Sequence, residues 1–294
     1  MKVERVKELS VIIVTYNSEP DIYGCLEALL AHNDLGEALE VIVVDNDSRN
    51  FAHMRDELGR LYGERVQVLH NTQNGGYGQG NNLGIQHSSA PVIMIMNPDV
   101  RWEKGSFKSI VQAYQEHPTL AICGFKQVTM QGDRALSFCY TNCSSAIEKS
   151  LGTFIANRLE HYQAKKMCLA GACFSIRKAM METIGGFDEQ IFLYAEENDI
   201  HYRMHERFPQ ALSRYNPQMV YRHRCENRAF SENSWRQQIE SNLYVCQKRH
   251  IAPARYLQTE IGSMRIVRLL KQLSGQTANI PVLDKKLAII RSYT

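Results

Sequence analysis

The run APVIMIMNPDVRW at residues 90–102 decides the fold. Val92, Ile93, Met94, Ile95 and Met96 form an unbroken apolar stretch between Pro91 and Pro98, and polarity then reverses into Asn97-Pro98-Asp99. A strand of this kind belongs inside a parallel sheet covered on both faces. Its carboxyl end is then where the sheet meets solvent, which in open α/β sheets is the ligand-binding edge. Asn-Pro-Asp is also ordinary turn chemistry, so the rest of the chain has to decide between the two.

Upstream, LSVIIVT (9–15), LEVIVVD (39–45) and RVQVLHN (65–71) read as further strands. The spacing of Ile22, Leu26, Leu29 and Leu30 predicts a helix after Ser18, with Ser18 as N-cap and Pro20 in the first turn. Helices are expected again over 51–62 and near 80–88. This alternation predicts a parallel sheet with right-handed crossovers. Beyond residue 105 the pattern loosens. It reads as a helix (105–116), strands in LAICGFKQVTM and RALSFCYT, and a polar segment to about 165. A strand, a short helix and a Gly-Gly turn follow in 166–189, then a helix in AEENDIHYRMHERF, a short strand in PQMVYRHR and a helix over 231–250.

The chain has 294 residues, 44% of them hydrophobic, enough for one large domain or a core domain with an appended piece. A net charge of +3 gives no electrostatic case for nucleic acid and favours a small-molecule substrate. Eight cysteines include no CxxC pair, and Cys139/Cys143 and Cys168/Cys173 lack zinc-ribbon spacing. The start of the chain is too polar for a signal peptide and no apolar run is long enough to span a bilayer, so free thiols in a reducing cytoplasm are expected.

Three strands end in polar groups: Thr15-Tyr16-Asn17, Asp45-Asn46-Asp47 and Asn97-Pro98-Asp99. Parallel strands present their carboxyl ends to one side, so these residues should converge. Asp45 alone reads as a turn or cap residue; three such ends together read as a site. In NTQNGGYGQGNNLGI (71–85), Gly75, Gly76, Gly78 and Gly80 precede a helix, where backbone N–H groups can approach an anion. The spacing is neither GxGxxG nor a P-loop and it follows the third strand, which excludes a nicotinamide-dependent enzyme.

In FLYAEENDIHYR (192–203), Glu196, Glu197 and Asp199 crowd a helix start, which the macrodipole favours, and Asp199 and Arg203 are spaced for an ion pair. Adjacent helical residues point about 100° apart. One glutamate is therefore expected inward as a general base, ionised at neutral pH with an ordinary pKa near ~4.3, and the other on the surface. His223 ends a strand between Arg222 and Arg224. A carboxylate opposite it would make a mixed oxygen and nitrogen site for Mn²⁺ or Mg²⁺, and the arginines could contact phosphates.

Taken in order, VIIVTYNS, VIVVDNDS, NGGYGQGNNLGI, MIMNPDV, LAGACFSIRKAMMETIGGFDEQIFLYAEENDIHYR and VYRH resemble the motifs of inverting family 2 glycosyltransferases of the GT-A fold, over about residues 9–225. The likeness is to the rhamnosyltransferase-like branch that builds bacterial surface polysaccharides. The resemblance implies an α/β protein: a Rossmann-like, mostly parallel central sheet flanked by helices. It would comprise a GT-A domain over 1–225, split into a nucleotide-binding half (1–104) and an acceptor-binding half (105–225), with a helical C-terminal extension over 226–294.

It also implies roles. Thr15, Tyr16, Asn17 and Asp45 would hold the base and ribose, Asn74, Gly75 and Gly76 would border the diphosphate, and Asn97 would lie on the donor side. Asp99 matches the last acid of the family's DxD-type motif and, with His223, would bind Mn²⁺ or Mg²⁺. Gly171, Ala172, Glu196 and the Gly186-Phe187-Asp188 turn would wall the acceptor pocket, and Glu197 would be the catalytic base. Two departures stand out: Asn97 is not an acid, and Glu197 replaces the commoner aspartate.

The expected reaction is inverting, metal-dependent transfer of a hexosyl unit, rhamnose from dTDP-rhamnose or a hexose from a UDP donor, to a saccharide or lipid-linked acceptor. The alternative from another class is a nucleotide-sugar-binding protein that has lost turnover. No nucleic-acid partner is expected. In 254–273, Leu257, Ile261, Met264, Val267, Leu269 and Leu270 with Arg255, Arg265, Arg268 and Lys271 form an amphipathic basic helix. It could lie on the inner face of a membrane, on the protein's own core, or in a homodimer.

Overall fold

The computed structural model describes residues 6–142, 144–224 and 230–294. The first half alternates as β1 (Leu9–Thr15), α1 (Glu19–Ala31), β2 (Leu39–Asn46), α2 (Phe51–Tyr62), β3 (Gln67–Asn71), α3 (Gly76–His87) and β4 (Val92–Met96). The second half runs β5 (Val100–Lys104), α4 (Phe107–Glu116), β6 (Leu120–Val128), β7 (Phe138–Tyr140), α5 (Thr153–Arg158), β8 (Met167–Leu169), β9 (Cys173–Arg177), α6 (Lys178–Thr183), α7 (Glu196–Arg207) and β10 (Leu212–His223). Three helices close the chain: α8 (Glu232–Lys248), α9 (Pro253–Leu273) and α10 (Ile280–Arg291).

An eight-stranded sheet in the order β3-β2-β1-β4-β9-β6-β10-β5 organises the molecule, and β7 and β8 pair separately. All five residues of β4 are buried, because the strand carries apolar side chains to both faces. Met94 and Met96 join Val11 and Ile13 in a core under α1, α2 and α4, while Ile93 and Ile95 join Ile12 in a second core under α3, α6 and α7. That double burial is why the sequence shows a continuous run and no alternation. The order reverses between β1 and β4, the topological position at which open α/β sheets leave a crevice at their carboxyl edge.

The sheet is mixed. β3, β2, β1 and β4 are parallel, as expected, but β9 runs antiparallel to both β4 and β6, and β5 antiparallel to β10. One strand expected in 166–177 is therefore two, broken at Ala170-Gly171-Ala172. β5 was not foreseen: it is a short edge strand whose charged residues face out while Val100 and Trp102 are buried.

Helix α3 starts at Gly76, so most of the glycine-rich loop is helix. Its glycines form a packing face: a Cβ on Gly80 would lie 2.7 Å from Val14 Cγ1, and one on Gly84 2.4 Å from Ile12 Cγ2. Ser18 holds the N-cap position of α1 without capping it, its hydroxyl donating instead to the Tyr16 carbonyl.

The polar segment before 165 contains helical residues from Glu148 to Arg158. The C-terminal tail folds back on α8 around Trp235, Ile239, Leu257, Met264, Leu287 and Ile290. One sheet joins the two expected halves of the GT-A domain, and the boundary expected at 225/226 lies outside the described residues.

Candidate functional site

Antiparallel pairing gathers the site. Because β9 runs against β4, its beginning lies beside β4's end, and the Asn97 N–H donates to the Ala172 carbonyl at 2.8 Å. Because β10 runs against β5, His223 falls opposite Val100 and next to Asp99, with His223 Nε2 3.3 Å from Asp99 Oδ1. The expected convergence of Asp99 and His223 is thus a consequence of topology.

Helix α7 delivers the glutamates to the same edge. Tyr194 and Ala195 enter it with positive φ, 70° and 74°, a conformation unfavourable for residues with a Cβ and characteristic of functional turns. The turn is clamped by α3: a Cβ on Gly76, whose φ is 89°, would lie 2.2 Å from the Phe192 carbonyl oxygen, and the Tyr77 N–H donates to that oxygen at 3.0 Å. Tyr77 also donates its hydroxyl to the Gly171 carbonyl at 2.8 Å.

Neither glutamate is at the surface. Glu196 is buried and Glu197 half-buried, which corrects the expectation of one inward and one outward side chain. Nor is the pair ordinary in its ionisation. Burial, then the neighbouring Glu197 charge, pushes Glu196 up to about 8, against hydrogen bonds from its own N–H and that of Tyr194. Burial raises Glu197 as well, opposed by N–H donation from its own backbone and from Gly171. A carboxylate available without any shift was expected; desolvation in the closed turn overrides that. Two crowded carboxyl groups share a proton more readily than both ionise, so the two glutamates titrate as a pair, both held above the ordinary carboxylate range by burial.

A cavity of about 610 Å³ opens at this edge, and Asn97, Gly171, Ala172, Glu196, Glu197 and His223 all line it. Its far wall was not anticipated. Lys149 and Thr153 come from the helical segment before β8, and Trp235, Asn242, Tyr256 and Glu260 come from α8 and α9. Lys149 pairs with Glu260, and Asn142 Nδ2 donates to Asn242 Oδ1 at 2.8 Å, tying the two walls together. Tyr77 was also missed, although its place directly after Asn74-Gly75-Gly76 was a usable signal. Cys139 and Cys168, which also line the cavity, face each other with sulfurs 3.5 Å apart and are free thiols, while Cys143 lies outside the described residues.

The remaining expected residues sit along the adjoining carboxyl ends of β1, β2 and β3, outside the lining of this cavity. Asp45 is fully buried: one oxygen accepts from the Thr15 hydroxyl at 2.9 Å and the other from the Ser48 N–H at 2.8 Å. Tyr16 is half exposed. Asn17, with φ of 51°, helps line a second cavity of about 240 Å³ with Ser48, Arg49 and Asn50. Asn74 accepts from the Gly76 N–H at 3.1 Å, and Gly75 holds the N-cap position of α3. The two arginines flanking His223 are paired with carboxylates, Arg222 with Glu103 at 2.7 Å and Arg224 with Asp21 at 2.8 Å.

For a divalent cation, the chain offers one carboxylate and one imidazole in contact, with neither nitrogen of the buried His223 making a hydrogen bond. An oxygen and nitrogen pair of this kind suits Mn²⁺ or Mg²⁺ when substrate phosphate and water complete the sphere. Among the described residues no cluster of three or more His, Cys, Asp or Glu is arranged to hold a metal. Asp99 and His223 therefore fit such an ion as a partial site.

The family model "Glycosyl transferase family 2" matches residues 10–185. Among curated proteins, the chain is 25% identical over 201 residues to the low-salt glycan biosynthesis hexosyltransferase Agl10 of Haloferax volcanii, covering 67% of this chain and 61% of Agl10. It is 25% identical over 217 residues to the N-acetylglucosaminyl-diphospho-decaprenol L-rhamnosyltransferase of Mycobacterium tuberculosis, covering 65% of this chain and 68% of that protein. It thus spans about six-tenths to two-thirds of the length of these relatives. Among solved structures, the mannosyltransferase PcManGT from Pyrobaculum calidifontis, in complex with GDP-Man and Mn²⁺, superposes with a TM-score of 0.63 at 14% identity, over 97% of this chain and 84% of that one. At that identity the likeness is one of fold.

Proposed function

Because the chain belongs to glycosyl transferase family 2 and has the GT-A fold, we propose that it moves a hexosyl unit from a nucleotide-diphosphate sugar to an acceptor hydroxyl with inversion, in the assembly of a surface glycan. The observation that carries this reading is the glutamate pair set in a cavity at the sheet's carboxyl edge that His223, in contact with Asp99, also lines. Glu197, held by the Gly171 N–H, removes the proton from the acceptor oxygen. That oxygen bonds to the anomeric carbon from the face opposite the nucleotide, and the bond to the diphosphate breaks, its electron pair leaving with the diphosphate. Glu196, protonated, donates a hydrogen bond to the acceptor and sets its orientation.

Asp99 and His223 are the residues that would hold Mn²⁺ or Mg²⁺, which supplies positive charge against the departing diphosphate. Thr15 to Asn17 and the loop that Asp45 braces receive the base and ribose, Asn74 to Gly76 border the diphosphate, and Asn97 faces the donor. Gly171 and Ala172 begin the acceptor wall, which Lys149, Asn242 and Glu260 continue. Polar lining of that kind suits a saccharide, free or lipid-linked. The rhamnosyltransferase relative favours a dTDP-rhamnose donor and the bound GDP-Man of PcManGT keeps other nucleotides in play.

Calorimetric titration with UDP, dTDP and GDP, with and without Mn²⁺, tests the reading on the native chain and on Asp99→Ala. Metal-enhanced binding of one nucleotide that is lost in the variant is expected. No binding of any nucleotide under either condition refutes the donor site.

A further inference from the structure

The helical stretch from Glu148 to Arg158 is inside out for a segment facing water. Its inner side is largely polar: Ser150 and Thr153 are buried beside Ala156, and the Lys149 ammonium lies 5.4 Å from the centre of the Tyr256 ring. Its outer side is apolar. Ile147 is 62% exposed, Phe154 62%, Ile155 51% and Leu159 70%, and Ile155 and Leu159 are neighbours at i, i+4. Helix α9 packs against the same stretch. Gly262 meets it with so little room that a Cβ there would lie 2.8 Å from Ala146 Cβ. Beyond that contact α9 exposes Leu269, Leu270 and Leu273. Scattered single hydrophobics are normal on a protein surface, but a set of seven on two touching helices is not.

The helix that carries these leucines is basic. Arg158 and Arg265 are exposed. Helix α9 holds four Lys or Arg against one Asp or Glu. We infer that this face, Ile147 to Leu159 with the distal half of α9, seats the protein on an anionic phospholipid bilayer. The apolar side chains enter the acyl boundary and the basic ones meet headgroups. A second copy is the poorer occupant, because a two-fold contact would bring the same basic residues together. The segment whose inner side lines the cavity is then the one at the membrane, which places the cavity beside substrates held there. The inference goes beyond the transferase reading and rests on exposure and charge alone.

Flotation of the full chain with vesicles of mixed phosphatidylglycerol and phosphatidylcholine, against phosphatidylcholine alone, tests it without any turnover assay. Binding to the anionic vesicles that weakens with salt is expected, falling about tenfold or more in Phe154→Ser/Ile155→Ser and similarly in Arg265→Glu/Lys271→Glu. Both pairs lie at the surface, and an unchanged thermal unfolding curve establishes that they fold. No flotation with anionic vesicles overturns the inference, as does flotation insensitive to both double variants. So does a dimer, seen by sedimentation velocity, that Phe154→Ser/Ile155→Ser dissociates.

Discussion

Glu196→Gln should make the protein more stable in alkali and remove most of a pH dependence that the native chain carries. Glu196 stands at about 8 in the folded protein against an ordinary value of 4.5, chiefly because it is buried. For an acid raised in this way the folded state holds the proton more tightly than the unfolded one. The stabilisation is complete below the unfolded value and drains away as pH rises through the folded value. The gap of roughly 3.5 units, at ~1.36 kcal/mol each, sets a ceiling of about 5 kcal/mol lost between acid and alkali. Glu197 faces it and is itself raised by burial, and the coupling between the two carboxyl groups will blur the midpoint.

Glutamine keeps an oxygen to accept from the Glu196 and Tyr194 N–H groups but carries no proton to lose. Urea unfolding at about pH 5, 7 and 9, native against variant, measures the difference directly. Other groups also contribute to the native curve, notably His201, which burial and then His205 depress to about 3, so that its stabilisation is lost as pH falls. These are common to both proteins and cancel in the difference. The variant should gain on the native chain steadily from pH 5 to pH 9. Parallel curves would show that Glu196 titrates normally, and with that the division of roles between the two glutamates fails.

Glu197→Gln should lower kcat by about a thousandfold or more while leaving nucleotide affinity within about twofold, since the base acts on the acceptor and not the donor; parallel calorimetry and turnover assays separate the two. In the native enzyme, kcat/KM should rise with pH through an apparent pKa above the ordinary glutamate range, because burial raises Glu197. Gly76→Ala should cost at least about 2 kcal/mol in urea unfolding, because its positive φ is compounded by a Cβ placed against the Phe192 carbonyl, which is backbone and cannot swing away. Lys248→Met should cost about 2 kcal/mol, because the partly exposed Lys248 on α8 bridges Asp188 at 2.6 Å and the fully buried Asp199 at 2.8 Å.

The parallel half of the fold was legible because its signal is one-dimensional. An apolar run in β4, a matching one in β1 and a polar residue at each carboxyl end state the architecture without any partner being known. The antiparallel half was not, since whether β9 runs with or against β4 depends on the connection through 141–165, whose helix buries polar residues and exposes apolar ones. A hydrophobic pattern read for a water-facing helix gives the wrong answer there. Asp99 and His223 were brought together by the resemblance alone; the residues by themselves did not show their contact, because it depends on β5, an edge strand too short and charged to register. The glutamates were placed on the correct turn, yet their ionisation was misjudged: burial of a turn entered through two left-handed residues, Tyr194 and Ala195, leaves no trace in composition.

The family match ends at residue 185, before Glu196, Glu197 and His223. What connects those three to the matched region is therefore geometry, and each is fixed by a different contact with it. Glu197 accepts from the Gly171 N–H, the turn before it hangs on the Tyr77 N–H through the Phe192 carbonyl, and His223 is set by pairing opposite Val100. Every one of those anchors is a backbone group, so substitutions among the anchoring side chains need not move the site. The cavity's far wall is held otherwise, by the side chains of Lys149, Glu260, Asn142 and Asn242 across to α8 and α9. On the proposed reading the chemistry is held by main chain and the acceptor wall by exchangeable side chains, so that changing the wall alone would let one reaction serve different acceptors.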